Sequence, residues 1–180
     1  MSALEIRRAL PEDAAGIVAV LEAVAAERIH SAIDTVWTVE QEASYLRSLS
    51  RREAFHVAVA TSAANNASTG DNTSTGIIGF QSLDLWSALL PSMAHVGQVG
   101  TFLLPDWRGL GVGRLLWRAT ESFAREAGFE KLAIQVRASN SPAQSFYRKL
   151  GFQECGRLTR QVIIDGVADD EVLMEFFLST

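Results

Sequence analysis

The segment PDWRGLGVGRLLW, from Pro105 to Trp117, carries three glycines between an apolar stretch and a helix-like pattern. Glycine has no side chain and readily adopts positive φ, so the backbone amides of such a turn can face an anion. A helix that begins directly afterwards adds the positive end of its dipole. The segment therefore predicts a phosphate-binding turn between a strand and a helix, with a simple glycine-rich connection as the alternative.

Two common phosphate-binding motifs do not fit this spacing. A Walker loop requires Lys and then Ser or Thr after the last glycine, whereas Gly113 is followed by Arg114 and Leu115. A dinucleotide-binding G-x-G-x-x-G turn would place its last glycine at Arg114 or Leu116. It would also require a carboxylate at the end of the next strand, where Val136–Ala138 stands. The Walker loop is excluded and the dinucleotide turn is disfavoured.

The composition is that of a globular domain and does not favour nucleic-acid binding. A chain of 180 residues can bury a sizeable core, and we expect residues 1–180 to form a single domain. The net charge of -5 disfavours nucleic-acid binding, because phosphate contacts require clustered Lys and Arg. The one cysteine, Cys155, cannot form an intramolecular disulfide, and we expect it to be a small packing residue.

We also expect a cytoplasmic protein with no membrane contact. Met1 is not followed by the charged and apolar regions of a signal peptide, and no apolar segment reaches the length of a membrane span. The polar tract from Thr61 to Thr75 contains glycosylation-like triplets at Asn66 and Asn72, which we interpret as loop chemistry.

Hydrophobic periodicity predicts alternating strands and helices. Strands are predicted to begin at Leu4, Phe55, Thr75, Ala94 and Lys131, and two more lie between Gly156 and Leu178, joined by an Asp165-Gly166 turn. Helices are predicted after Pro11, over Val39–Leu49, over Gly111–Ala127, and from a cap at Asn140 or Ser141 to Gly151. The third helix is predicted to bury Leu115, Leu116, Ala119, Phe123 and Ala127, and the fourth Ala143, Phe146 and Leu150.

Two segments carry a family resemblance. Residues Arg108 to Gly113 match the R/Q-x-x-G-x-G/A loop of the GNAT acetyltransferase superfamily, and Asn140 to Phe152 resemble its N-x-x-A-x-x-x-Y-x-x-x-G-F segment. The resemblance covers essentially the whole chain and is densest from Val96 to Phe152. It implies a mixed α/β (α+β) fold of six to seven mostly antiparallel strands and about four helices, split where acetyl-CoA enters.

The same resemblance implies roles for individual residues. Tyr147 would be the general acid, since a phenol stays protonated at neutral pH and can protonate the departing thiolate. A backbone amide, taken as that of Leu103, would face the acetyl oxygen. The full set of predicted cofactor-binding residues is Thr101, Phe102, Leu103, Arg108, Gly109, Leu110, Gly111, Val112, Gly113, Arg114 and Asn140.

The general base is where the chain departs from the family pattern. Some relatives carry glutamate where this chain has Gln135, and an amide is not a useful proton acceptor. Candidates near the expected acceptor region are Glu27, His30 and Glu42, each with a surface position as the alternative. His95 and Gln98, expected on the central strand, are candidates for ordering a water, Trp37 is a candidate pocket wall, and His56 is expected in the core or at its rim.

The resemblance implies direct acetyl transfer from acetyl-CoA to a primary amine, with no covalent enzyme intermediate. We expect a small amine or amino-acid-like acceptor, with a protein amino terminus as the second choice. A non-catalytic acyl-CoA-binding regulatory module is the alternative from another class. No Cys/His cluster suggests a metal cofactor, and a homodimer is also considered.

Overall fold

The fold is a seven-stranded sheet flanked by four helices, as predicted, in a computed structural model that describes residues 3–61 and 75–178. The strands are β1 (Ala3–Arg8), β2 (Ala54–Thr61), β3 (Thr75–Leu85), β4 (Val96–Leu103), β5 (Lys131–Arg137), β6 (Gln153–Ile164) and β7 (Val167–Phe177). The helices are α1 (Ala14–Ala26), α2 (Val39–Ser48), α3 (Val112–Glu126) and α4 (Ser141–Leu150). Asn66 and Asn72 of the polar tract lie outside the described residues.

The sheet opens between its two central strands. Its order is β1-β2-β3-β4-β5-β7-β6, and every neighbouring pair is antiparallel except β4 and β5. The parallel pairing joins only Val96–Gln98 to Lys131–Ala133, although β4 continues to Leu103 and β5 to Arg137. The remaining halves of β4 and β5 therefore diverge into a cleft, which confirms the predicted split.

Helices cover both faces of the sheet, because alternate strand residues point to opposite sides. One face packs α1 and α2 against Phe55, Val57 and Phe80. The opposite face packs α3 against β2 and β3 through residues that include Leu116 and Ile78, and a neighbouring cluster joins both α3 and α4 to β5 and β7 through residues that include Trp117 and Met174. The divergent ends of β4 and β5 therefore open between the apolar cores of the two faces.

The buried face of α3 is rotated from the predicted one. Val112, Leu116, Trp117, Thr120 and Ala124 are buried, whereas Leu115, predicted to be buried, is exposed. The rotation follows from partners distant in sequence. The Trp117 ring packs edge-on against two phenylalanine rings with centroids 5.2 and 5.3 Å away, and Thr120 hydrogen bonds to a histidine of β2.

The predicted helix ends and the last turn are confirmed. Gly128 and Gly151 follow α3 and α4 with φ of 74° and 104°, the left-handed conformation that glycine adopts without a steric penalty. Asp165 and Gly166 both have positive φ, as a two-residue hairpin turn requires.

The prediction that Cys155 is a packing residue is wrong. Its side chain is exposed on β6, with Sγ 3.6 Å from the Leu173 carbonyl.

Candidate active site

The free edge of β4 presents backbone groups to the cleft. Towards β3, hydrogen bonds run from the Leu104 amide to Ile78 (2.9 Å) and from the Trp86 amide to Val96 (3.1 Å). Because alternate residues of an antiparallel pair point their amides in opposite directions, the even-numbered residues of β4 bond to β3. The amides of Thr101 and Leu103 therefore point into the cleft, beyond the last residue paired with β5.

The three glycines after β4 have different structural roles. Gly109 and Gly111 have φ of 74° and 87°, and a Cβ added at either would meet no atom within 4 Å. Gly111 caps α3, so the open space lies directly before a helix amino terminus. A Cβ at Gly113 would instead lie 3.1 Å from Cζ of Phe146, so this glycine allows α3 to approach α4.

The Arg108 side chain joins the glycine turn to α1. Its Nε and Nη2 donate to the Leu103 carbonyl at 3.1 and 2.9 Å, and its Nη1 and Nη2 donate to the Glu27 carboxylate at 2.9 and 2.6 Å. The hydrogen bonds from Arg108 lower the pKa of Glu27 although partial burial opposes them. Glu27 is thus an ion-pair partner and a poor proton acceptor, so it is not a suitable general base.

Tyr147 points its hydroxyl to the free part of β4. The side chain is 5% exposed, and its hydroxyl donates to Oγ1 of Thr101 at 2.7 Å. The same Thr101 oxygen accepts from Nε2 of the buried Gln81 at 2.7 Å. Burial raises the pKa of Tyr147 to about 12, against the opposing effect of the Thr101 hydrogen bond. The phenol is therefore protonated at neutral pH and held beside the cleft.

Asn140 uses both ends of its amide within the protein. Its Oδ1 accepts from the Ala143 amide at 3.1 Å and caps α4, while its Nδ2 donates to the His30 carbonyl at 2.9 Å. Of the two predicted caps, Asn140 is the one that forms, and Pro142 is the second helical residue after Ser141. A contact between Asn140 and the cofactor stays a prediction, since each polar atom already has a partner.

A cavity of about 270 Å³ occupies the divergent space between β4 and β5. Two glutamines face each other across it, with Nε2 of Gln98 3.5 Å from Oε1 of Gln135. The polar side chains on its wall are those of His30, Ser31, Gln98, Thr101, Gln135, Arg137, Asn140, Tyr147 and Glu171. The cavity thus adjoins the free backbone edge of β4, the Tyr147 hydroxyl and a carboxylate.

The described residues contain neither a metal-binding cluster nor a membrane-spanning helix. In residues 3–61 and 75–178, no three or more His, Cys, Asp or Glu side chains are grouped so that they could hold a metal ion. None of the helices in the described part of the chain has the length and apolar character to cross a bilayer.

The family assignment comes from sequence comparison. A sequence model of the acetyltransferase (GNAT) family matches residues 26–152, more than half of the chain, including both motif segments.

The chain belongs to the GNAT family.

Two GNAT relatives match over part of their length. Streptothricin acetyltransferase of Streptomyces lavendulae is 46% identical over 52 residues, which are 29% of this chain and 28% of that protein. The N-alpha-acetyltransferase of Sulfurisphaera tokodaii is 37% identical over 87 residues, which are 47% of this chain and 50% of that protein. The chain therefore spans half or less of the length of these curated relatives in its matches.

Solved structures match over the whole chain and show the GNAT fold. The acetyltransferase of GNAT family from Streptococcus pneumoniae has a TM-score of 0.82 at 24% identity, covering 98% of this chain and 100% of that one. YncA from Salmonella typhimurium, solved with its cofactor acetyl-CoA, has a TM-score of 0.77 at 17% identity, covering 99% and 96%.

Within the GNAT fold, the predicted base candidates are scattered. His30 lines the cavity, but His95 is exposed and precedes β4, so the prediction that it lies on the central strand is wrong. Glu42 is 3% exposed on the inner face of α2, where burial raises its pKa and its Oε1 has no partner among the described residues. The alternative of a surface position is therefore wrong for Glu42.

The predicted GNAT site also has a member that the sequence reading missed. Glu171 lies on β7 and lines the cavity together with Tyr147. The sequence signal was weak, because Glu171 stands in the acidic run Asp169–Glu171 and strand alternation alone does not say which of these side chains faces the cavity. Trp37, proposed as a pocket wall, is 51% exposed; it lines a separate surface pocket with Tyr45 and not this cavity.

Proposed function

We propose that this protein is an N-acetyltransferase that moves the acetyl group of acetyl-CoA directly to a primary amine. The observation that carries the proposal is the placement of three features along the free part of β4 and the turn that follows it. These are the cleft-facing amides of Thr101 and Leu103, the open glycine turn before α3, and the buried Tyr147 hydroxyl. Membership of the GNAT family supports the same activity.

The donor would lie along β4 and across the glycine turn. The pantetheine arm of acetyl-CoA would pair with Thr101–Leu103 as an added strand pairs with a sheet edge. The amides of Gly109 to Gly113 would surround the pyrophosphate, because the turn has no side chain in the way at Gly109 and Gly111 and opens at the start of α3. The amides of Arg108 and Arg114, also predicted to bind the cofactor, instead donate to the carbonyls of Pro105 and Gly111, each at 3.1 Å. Chemically, acetyl-CoA supplies the activated acyl group as a thioester.

The reaction then needs a polarised carbonyl and a proton for the leaving thiolate. The Leu103 amide, which points into the cleft, would donate to the acetyl oxygen as negative charge develops on it. The amine nitrogen forms a bond to the carbonyl carbon, the carbon–sulfur bond breaks, and Tyr147 donates its hydroxyl proton to the thiolate. The phenolate recovers a proton as the new amide nitrogen loses one.

A small amine is the acceptor that we propose. Streptothricin acetyltransferase and the aminoglycoside N(6')-acetyltransferase of Stenotrophomonas maltophilia, 37% identical over 59 residues, are named for small-molecule substrates. The cavity volume of about 270 Å³ also suits a small acceptor. A protein amino terminus is the second candidate, favoured by the match to the N-alpha-acetyltransferase of Sulfurisphaera tokodaii.

The test follows thiol release from acetyl-CoA with amino acids, polyamines, an aminoglycoside and a peptide with a free amino terminus. On the best amine, Tyr147→Phe should lower kcat by about 100-fold or more, because a general acid is lost. Binding of acetyl-CoA, measured by calorimetry, should change little. The control is Tyr45→Phe, which removes the hydroxyl of the other tyrosine, bonded to Asp84 and outside the cavity wall.

The outcomes separate the hypotheses. Unchanged turnover in Tyr147→Phe would contradict the general-acid role and leave acetyl transfer in place. Tight acetyl-CoA binding without turnover of any amine would favour a regulatory acyl-CoA-binding module.

A further inference from the structure

Glu171 places a carboxylate on the wall of the cavity. It lies on β7 opposite Arg137 of β5 and Leu158 of β6, and its side chain is 9% exposed. Gln135 is two residues from Arg137 on β5, so it points to the same face of the sheet as Glu171. Diagonal neighbours across an antiparallel pair are about 7–8 Å apart, within reach of long side chains.

The cation opposite Glu171 on β5, Arg137, is paired with other groups. The Arg137 guanidinium donates to the Asp169 carboxylate at 2.9 Å and to the carbonyls of Arg28 and Ser31 at 2.9 and 3.3 Å. Within the described part of the chain, the Glu171 side chain makes no hydrogen bond or ion pair. Among the described residues, the fully buried side-chain atoms without a hydrogen-bond partner are Oε1 of Glu42 and Oε1 of Gln81. The carboxylate oxygens of Glu171 are therefore not fully buried, and Glu171 lines the cavity.

The geometry points to Glu171 as the residue that receives the ammonium group of the acceptor and takes its proton. This inference rests on the proposed function. The ammonium loses one proton to the Glu171 carboxylate, which later releases it to solvent. The neutral amine then attacks the thioester, and the second nitrogen proton leaves as Tyr147 protonates the thiolate. One proton is thus released for each acetyl group transferred.

Most of the other polar groups around the cavity are not useful proton acceptors at neutral pH. The side-chain amides of Gln98 and Gln135 do not accept a proton at neutral pH. The charged and titratable neighbours are Arg137 on β5, Asp169 on β7, Tyr147 on α4 and His30 before α2. Burial, and then the charge of Asp169, raise the pKa of Glu171, which makes its carboxylate a better base. His30 is the one rival base on the cavity wall.

The experiment compares Glu171→Gln with the wild type on the amine that the wild type acetylates best. We expect kcat/KM for the amine to fall by about 100-fold or more, with acetyl-CoA affinity unchanged. The acidic limb of the pH profile should disappear in Glu171→Gln, and Glu171→Asp should recover part of the rate. Glu175→Gln is the control, because Glu175 lies on the same strand face, pairs with Lys131 and is outside the cavity wall.

The two proposals fail in different ways. If the wild type acetylates no amine of the panel, the proposed function is overturned, and the proton-transfer role of Glu171 with it. If the wild type is active and Glu171→Gln keeps its rate and its acidic limb, only the role of Glu171 is overturned. Loss of that limb in His30→Gln, with Glu171→Gln unchanged, would assign the proton transfer to His30.

Discussion

Among single residues, His56 carries a buried imidazole that packs between the sheet and α3. The side chain is 6% exposed, and its Nδ1 lies 3.0 Å from Oγ1 of Thr120, which is fully buried. Burial, with a smaller contribution from the charge of Arg8, lowers the pKa of His56 to about 4. The ring is therefore neutral in the folded protein at any pH near neutrality, as its predicted core position implies.

This burial makes His56 a source of acid sensitivity. In the unfolded chain the imidazole titrates near 6.5, so between pH 6.5 and 4 the unfolded state binds more protons and stability falls with falling pH. From pH 7 to pH 5 this one group should remove roughly 2 kcal/mol from the free energy of unfolding. Urea denaturation at both pH values measures the loss.

The comparison that isolates this effect is between the wild type and His56→Asn. Other groups titrate over the same interval in both proteins, so the difference between their two pH 7 to pH 5 losses reports the histidine. We expect His56→Asn to lose roughly 2 kcal/mol less than the wild type over that interval. Equal losses in the two proteins would show that the imidazole is not kept neutral by folding.

At the level of one element, α3 is preceded by Gly111 and followed by Gly128, both with left-handed backbone. Gly111 has φ of 87° and Gly128 has φ of 74°, and neither has an atom within 4 Å of the position of a Cβ. The amino-terminal end adjoins the cleft, while the carboxyl-terminal end leads into β5. The two glycines are thus conformationally alike, and only Gly111 lies where we propose the pyrophosphate of acetyl-CoA.

Gly111→Glu and Gly128→Glu form a matched pair. Each places an L-residue in the left-handed region, at a cost of about 1–2 kcal/mol, and each adds one negative charge. Gly111→Glu should weaken acetyl-CoA binding by at least about 100-fold through charge repulsion and blocked amides, whereas Gly128→Glu should bind as the wild type does. Calorimetric titration measures both. Similar affinity in the two variants would place the pyrophosphate elsewhere.

At the scale of the whole molecule, hydrogen bonds and an ion pair hold the segment between α1 and α2 against β5, the start of α4 and the β6–β7 hairpin. Arg137 donates to the carbonyls of Arg28 and Ser31, and Asn140 donates to that of His30. The Arg28 guanidinium also pairs with Asp165 at the tip of the β6–β7 hairpin, 2.6 Å away. Elements more than a hundred residues apart in sequence thus build one wall of the cavity.

The ion pairs of two adjacent aspartates of β7 allow a test of how much the Arg137 contacts contribute to stability. The ion pair between Arg137 and Asp169 has an N–O distance of 2.9 Å, and the Arg137 side chain is 9% exposed. The ion pair between Arg157 and Asp170 has nearly the same distance, 2.8 Å, but the Arg157 side chain is 53% exposed. Arg137→Gln leaves the largely buried Asp169, whose side chain is 14% exposed, without its cation and should reduce the free energy of unfolding by about 3 kcal/mol. Arg157→Gln should reduce it by less than about 1 kcal/mol, because that pair is exposed to solvent.

Urea denaturation of both variants gives these differences directly. A loss in Arg137→Gln as small as that in Arg157→Gln would mean that the Arg137 contacts do not contribute to stability. The Ser139 hydroxyl still donates a hydrogen bond of 2.6 Å to Asp169 in the Arg137→Gln variant. This bond partly compensates for the lost cation, so we expect a loss of stability near the lower limit for a broken buried ion pair.

Short-range chemistry made much of the architecture predictable. The ends of α3 and α4 follow from Gly128, Gly151 and the Asn140 cap, and the last turn follows from Asp165-Gly166. Each of these depends on the conformational preferences of a few neighbouring residues. The Arg108–Gly113 turn and Tyr147 were recognisable for a related reason, since their spacing lies within or beside one local element.

Contacts between residues distant in sequence determine the features that the sequence did not predict. The inner face of α3 depends on where the Trp117 ring meets β-strand residues, and Glu42 is buried because the inward face of α2 is covered by the rest of its core. Glu171 faces the cavity because the register pairs it with Arg137, 34 residues earlier in the chain. A shift of one residue in that pairing would point Glu171 to the opposite face, since side chains alternate along a strand.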